Sequence, residues 1–265
     1  MSGHSKWATT KHRKAAQDAK RSALFGKLSR NITVAAKEGG DPNPENNASL
    51  AAAIEKAKAN SLPKDKIKTA IDKAFGSGKD AANYETKVYE GYGPCGIAVY
   101  CEALTDNVNR TAADVRSAFS HAGGNLGTSG SVAFQFERKG QIVVEKIIKS
   151  EEKKVADKEN AVDEEEFMLL VADAGGEDYE DAEDEWIVYT APADLMAVKK
   201  ALEEAGVETK GAELIMEATT PTAVSVSDAK KVMRLVDRLE ELEDLQAVYH
   251  TMDITDEIAA ALEEE

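Results

Sequence analysis

The sequence predicts an α+β multidomain protein: an N-terminal helical domain followed by two α/β domains, at least one of them ferredoxin-like (βαββαβ). Three observations carry this reading. Apolar residues recur at helical spacing through the first 78 residues. Beyond residue 95, short β-branched or aromatic runs alternate with helical stripes. The sign of the charge also reverses: residues 1–80 hold 16 Lys and Arg against 8 Asp and Glu, whereas residues 81–265 hold 17 against 41.

The first long helix is expected over Asp18 to Glu38, where Leu24, Phe25, Leu28, Ile32, Ala35 and Ala36 share a face. Lys20, Lys27, Arg30 and Lys37 project mostly from the other side, so this helix buries one face and offers a basic one. Gly39-Gly40-Asp41-Pro42-Asn43-Pro44 stops it. A second helix is predicted from Asn47 to Ala59, and a third begins at Pro63, where a missing N–H costs nothing. Gly76-Ser77-Gly78 then opens a linker. Ile97 to Ala103 reads as a strand and Arg110 to His121 as a helix. Val132 to Phe136 and Gln141 to Val144 flank Lys139-Gly140 as a hairpin or bent strand pair. Residues 148–165 are charged and polar, a loop or an exposed helix start. A helix from Glu165 to Ala174, strands at Glu177 to Tyr179 and Glu185 to Tyr189, a helix from Pro192 to Gly206 and a strand at Glu213 to Glu217 complete β-α-β-β-α-β with the strand at 141–145. A helix capped by Ser227 or Asp228 and a strand from Leu245 to His250 follow. The domain plan is 1–78, a split α/β domain of 79–140 with 210–252, an inserted α/β domain of 141–209, and an acidic C-terminal tail of 253–265.

A hydrophobic share of 42% fits a folded globular chain. No apolar run approaches the ~18 residues of a membrane span, and no signal-peptide stretch opens the chain, so a cytoplasmic location with no membrane partner is expected. If Cys95 and Cys101 lie on one strand they stand roughly 20 Å apart, out of disulfide reach, and buried reduced thiols are expected.

The basic opening reads Gly3-His4-Ser5-Lys6-Trp7, then Lys11-His12-Arg13-Lys14, then Lys20-Arg21. Phosphates need cations and hydroxyl donors, and unpaired bases need flat rings to stack on. The expected nucleic-acid-binding residues are therefore His4, Ser5, Lys6, Trp7, Lys11, His12, Arg13, Lys14, Lys20, Arg21, Lys27 and Arg30. The alternative is a solvated basic tail with Trp7 against the first helix. Gly91-Tyr92-Gly93-Pro94-Cys95-Gly96 matches G-x-G-x-x-G in letters only: a strand follows instead of a helix N-terminus, and Pro94 removes an amide. A tight turn is the reading there, with no cofactor. His4, His12, His121 and His250 lack zinc spacing, so no metal is expected either. Amides near Thr105 to Thr111, with Asn109 and Arg110, can receive an anion, though ordinary capping by Asp106 or Asn109 is favoured. No motif indicates an enzyme or a small-molecule substrate.

GHSKW at 3–7, KHRKAAQDAKR at 11–21, EGYGP at 90–94, TDNVNRTAADVR at 105–116, GGNLGTSGSVAFQFERKG at 123–140 and EELEDLQAVYH at 240–250 closely resemble the YebC family, whose mitochondrial relatives include the translational activator of cytochrome oxidase. The resemblance spans nearly the whole chain. It implies three domains, no catalysis, and a regulator of gene expression that binds DNA. Other members of the family look like translation factors, which implies ribosomal RNA as the alternative partner. The acidic α/β part then positions the molecule or recruits proteins. A protein-interaction adaptor with a basic docking domain is the rival from another class. Thr9-Thr10 and Cys95 depart from the family pattern, and the segment from Lys146 to Asp163 looks longer than usual.

Overall fold

The structure, a computed structural model, describes residues 18–75, 84–148, 158–160, 163–182 and 184–263. In chain order it contains α1 (Asp18–Gly39), α2 (Ala48–Ala59), α3 (Lys64–Phe75), β1 (Glu85–Tyr92), β2 (Ala98–Thr105), α4 (Val108–His121) and β3 (Asn125–Leu126). Next come β4 (Phe136–Glu145), β5 (Ile147–Ile148), β6 (Lys158–Glu159), α5 (Glu164–Ala174), β7 (Asp178–Ala182), β8 (Glu185–Thr190), α6 (Leu195–Glu204) and β9 (Gly211–Ala218). The described chain ends with α7 (Val226–Glu240), β10 (Leu245–His250) and α8 (Asp256–Glu263). The fold is α+β, with two four-stranded antiparallel sheets and a short β5–β6 pair. The described residues divide into two compact units: Phe136–Thr219 forms one, and those from Asp18 to Gln135 with those from Thr220 onward form the other.

In the larger unit the helix boundaries have local causes. Gly40 takes φ +69, a left-handed conformation that glycine enters at little cost, and α1 ends there. Asn47 caps α2 by accepting from the Leu50 amide at 3.0 Å, while its own amide donates to Ala35 O. Leu28, Ile32 and Ala36 of α1 pack with Leu50, Ile54 and Ala57 of α2 and with Ile67 and Ala70 of α3. One face of α1 is thereby committed to this small bundle.

The first sheet runs β10–β2–β1–β3. Val99 and Cys101 of β2 are fully buried, as are Phe119 of α4 and Leu235 of α7. β1 has no counterpart in the sequence reading, because Glu85-Thr86-Lys87-Val88 is mostly exposed and lacks an apolar stripe. The glycine turn behaves as expected: Gly96 takes φ +74, and Cys95 before it takes φ +59. Cys95 is exposed, which corrects the expectation of two buried thiols; Cys101 is buried, and burial raises its pKa. Asn107, rather than Asp106 or Asn109, caps α4, and Ser225 caps α7. Within the stretch expected to be an acidic tail, residues 256–263 form α8, which buries Ile258 and Leu262 and packs on α7.

Two carboxylates lock this unit. Asp244, its side chain 8% exposed, accepts at Oδ2 from the hydroxyls of Thr111 (2.7 Å) and Thr105 (3.2 Å) and from Arg110 Nη2 (2.9 Å). Its Oδ1 lies 3.3 Å from Arg30 Nη1 of α1. Burial pushes this carboxyl up, but the Thr111 and Arg110 hydrogen bonds and the charges of Arg110 and Arg30 hold it below its ordinary value. Glu90 of β1, also buried, accepts from the amides of Gly130 (2.7 Å), Val132 (2.8 Å) and Ala133 (2.8 Å). Burial opposes its charge, and the three amides outweigh that and depress its pKa. Glu90 therefore fastens the loop between β3 and β4 to the sheet. Close backbone approach helps: a Cβ on Gly91 would meet Asn125 O at 2.6 Å, and one on Gly124 would meet Tyr92 O at 2.6 Å.

The smaller unit has the sheet order β7–β8–β4–β9, with α5 between β4 and β7 and α6 between β8 and β9. Ile142, Val144, Trp186 and Val188 of the sheet pack against Phe167 and Val171 of α5 and Val198 and Leu202 of α6. Phe167 stacks on Trp186 at 5.0 Å between centroids. The expected hairpin around Lys139-Gly140 is absent. β4 runs unbroken through both residues, because β8 pairs along one side of it and β9 along the other. For the same reason this unit extends over 136–219 rather than 141–209: the outer segments 136–143 and 211–218 are hydrogen-bonded partners.

Two outcomes follow from the locking carboxylates. Asp244→Ala should lower the unfolding free energy by roughly 1.5–3 kcal/mol, since it strands two hydroxyls and two guanidinium groups. The stabilisation from the depressed Asp244 carboxyl is fully present above the unfolded-state pKa of about 3.9 and is lost as pH falls through the lower folded-state value. Urea melts of wild type and Asp244→Asn should therefore differ above about pH 4, draw together as the pH falls below it, and meet only beneath the depressed folded-state value. Glu90→Gln replaces one acceptor oxygen with a donor that faces an amide. Hydrogen exchange at Gly130, Val132 and Ala133 should then quicken by about ten-fold or more.

Candidate nucleic-acid interface

Of the residues expected to meet nucleic acid, His4, Ser5, Lys6, Trp7, Lys11, His12, Arg13 and Lys14 lie outside the described residues. Lys20 and Arg21 lie in the first turns of α1. Lys27 and Arg30 are fully described, and both turn toward the protein.

Lys27 Nζ donates to Glu240 O at 2.7 Å, at the last residue of α7. Arg30 Nη1 donates to Glu243 O, lies 3.5 Å from Leu104 O and pairs with Asp244. Its guanidinium also sits over the Tyr84 ring, 5.4 Å from the centroid. The carbonyls at a helix C-terminus carry partial negative charge and lack intrahelical donors, so two cations are well placed there. The side of α1 opposite the bundle thus docks on the α/β part. Next to this contact Asn31, Val34 and Glu38 of α1 line an open groove of about 310 Å³ with Thr86, Leu104 and Gln246. The sequence expects phosphate contact at Lys27 and Arg30; in the structure their charged heads are engaged by protein carbonyls and a carboxylate.

The cations that face outward are others. Lys56, Lys58, Lys64, Lys66 and Lys68 surround the α2–α3 turn, are all exposed, and have only Asp65 as an acid among them in sequence. Helical spacing puts Lys64, Lys68 and the 44% exposed Phe75 on one flank of α3, and Lys66 and Lys73 on the other. Lys66 Nζ rests 5.2 Å above the Phe25 ring. Sequence reasoning used α2 and α3 only for their apolar stripes. The available signal was the density of five lysines in thirteen residues. Across residues 18–75 there are 11 basic and 7 acidic side chains, whereas residues 136–219 hold 10 and 24.

A second missed feature is Phe134, at 73% the most exposed large apolar side chain among the described residues. It stands on the loop that Glu90 holds. Arg110, considered above as an anion receiver, is occupied by Asp106 and Asp244, both at 2.9 Å. Among the described residues, no helix is long and apolar enough to cross a membrane, and no three His, Cys, Asp or Glu are grouped to hold a metal ion.

Comparison with known proteins agrees along the whole chain. Residues 5–77 match the TACO1/YebC protein N-terminal domain, and residues 84–252 match the TACO1/YebC second and third domain. A relative from Rubrobacter xylanophilus, bearing the name "probable transcriptional regulatory protein", is 50% identical over 260 residues, 98% of each chain. One from Bifidobacterium animalis subsp. lactis, with the same name, is 46% identical over the full 265 residues of both chains. A crystal structure of a conserved hypothetical protein from Aquifex aeolicus superimposes with a TM-score of 0.75 at 40% identity, covering 89% of this chain and 91% of that one. With both domain descriptions matched in order and half of all residues shared with a full-length relative, the chain belongs to the TACO1/YebC family.

Proposed function

We propose that this chain is a nucleic-acid-binding regulator of gene expression that works by binding rather than catalysis. The observation that carries the reading is the segregation of charge. The helical part is basic and exposes its lysines around the α2–α3 turn, while the remainder is strongly acidic. A polyanion is drawn to the first and repelled by the second, which orients it without sequence-specific contacts. The name shared by the relatives supports a regulatory role in transcription, with DNA as the partner. Phosphate contacts are assigned to Lys6, Lys11, Arg13, Lys14, Lys20 and Arg21, with Trp7 as a stacking group. Lys27 and Arg30 hold the helical part in place.

Support for binding over catalysis comes from the buried carboxylates of the larger unit, Glu90 and Asp244. Both are consumed by amides, hydroxyls and guanidinium groups, which leaves neither available as a proton carrier. We also read the 136–219 unit as ferredoxin-like, on its strand order and its two crossover helices. Its acidic surface suits the recruitment of a protein. A translational version of the same role, on ribosomal RNA, is favoured by one feature, the exposed Phe134 ring, since unpaired bases are common in folded RNA.

Fluorescence anisotropy against duplex DNA and structured RNA over a salt series tests the reading. Neutralising Lys11, Arg13, Lys14, Lys20 and Arg21 together should weaken binding and flatten the log–log salt slope by about 0.7–0.9 for each phosphate no longer engaged. Unchanged affinity would overturn the assignment of the basic segment. Partners that survive nuclease treatment on co-purification, with no nucleic acid bound, would favour the adaptor instead.

A further inference from the structure

Residues 117–136 contain no Asp, Glu, Lys or Arg, in a chain where such residues make up 31%. This uncharged run includes β3 and the loop that carries Phe134, and the loop is firmly built. Glu90 takes the amides of Gly130, Val132 and Ala133, and Glu90 O accepts from the Gly127 amide at 2.7 Å. The Tyr92 hydroxyl donates to Ser131 O at 3.2 Å and accepts from Gln135 Nε2 at 3.1 Å. Val132, two residues before Phe134, is fully buried and acts as the loop's root. The Phe134 ring is therefore displayed by a preorganised loop, and its exposure is not a by-product of looseness.

We propose that Phe134 is a stacking platform for an unpaired base of a nucleic-acid strand whose phosphates are held by cations elsewhere on the chain. The inference rests on the nucleic-acid reading above and adds a second, uncharged contact to it. Two considerations favour a nucleic acid over a protein partner. A strand of phosphates is repelled least where acids are sparse, and the run from 117 to 136 carries none, with the exposed pair Glu137 and Arg138, of opposite sign, directly after it. A cationic protein would gain from the acids that the loop lacks. Within the same uncharged run the exposed Thr128, Ser129 and Asn125 offer hydroxyl and amide groups, the uncharged partners that base edges use. An isolated ring with such neighbours suits a base face, which a paired duplex does not offer.

The test uses the full chain, a labelled single-stranded RNA and a blunt duplex of the same sequence, with circular dichroism to confirm folding. Phe134→Ala should weaken single-strand binding by about ten-fold, leave the salt slope unchanged, and leave duplex binding unchanged. Phe134→Trp should restore the single-strand affinity, while Phe134→Leu should behave like Ala, because it keeps apolar area and loses the ring. Single-strand affinity unchanged in Phe134→Ala, but abolished when the five N-terminal cations are neutralised, would overturn this inference and leave the proposed function standing. Full affinity in Phe134→Leu would point to an apolar protein contact and overturn it as well. Failure of the wild type to bind any nucleic acid would overturn both.

Discussion

The larger unit depends on the Asp244 carboxylate. Three stretches far apart in sequence meet at its two oxygens: α1 through Arg30, the end of β2 with the start of α4 through Thr105, Arg110 and Thr111, and the entry to β10 through its own backbone. Its backbone joins in, since Asp244 O accepts from the Leu104 amide at 2.8 Å. A buried charge of this kind needs partners that offset its desolvation: Oδ2 takes two hydroxyls and a guanidinium, Oδ1 has the Arg30 charge 3.3 Å away, and these partners come from elements that otherwise have little reason to approach. The helical part and the first sheet form one compact unit for this reason, despite their opposite net charges.

The same contact shows what charge patterning alone leaves open for two cations. Helical periodicity assigned Lys27 and Arg30 correctly to the side of α1 away from Leu28 and Ile32. Periodicity states which side is not core. It does not state whether that side meets water, nucleic acid or another part of the chain. α1 has two protein-facing sides, and its second is polar, with carbonyls and one carboxylate as the receiving groups. No apolar stripe marks such a contact. The lysines of α2 and α3 show the converse: they flank clear apolar stripes, and a reading of those stripes passes over them.

Elements with strong punctuation were legible. The stop at Gly39-Gly40, the cap at Asn47 and Pro63 before α3 located the first three helices to within a residue or so. In the 136–219 unit, the Trp186-Ile187-Val188 run placed β8 to within a residue, and the Leu195, Val198 and Leu202 stripe placed α6, whose start at Leu195 lies three residues past the expected Pro192. β1 was illegible because its inward-facing members include Glu90 and Gly91, which no hydrophobic pattern selects. α8 was obscured by its acids, although Ile258 and Leu262 stand four apart. β4 was read as two pieces because Lys139-Gly140 resembles a turn. A glycine serves there instead because Thr190 Oγ1 would lie 2.2 Å from a Cβ.

The Gly127–Ala133 loop has the composition of a phosphate cradle, with two glycines, Thr128, Ser129 and Ser131 and several inward amides. The protein fills that cradle with an anion of its own. Because Glu90 is covalently part of the chain, its effective concentration at the loop far exceeds that of any free phosphate, and displacement by one is uncompetitive. A loop that would otherwise select for charge is thereby made indifferent to it. What it presents to the outside is shaped by the backbone and by one ring, so the acidic part of the molecule keeps a face on which charge does not decide what binds.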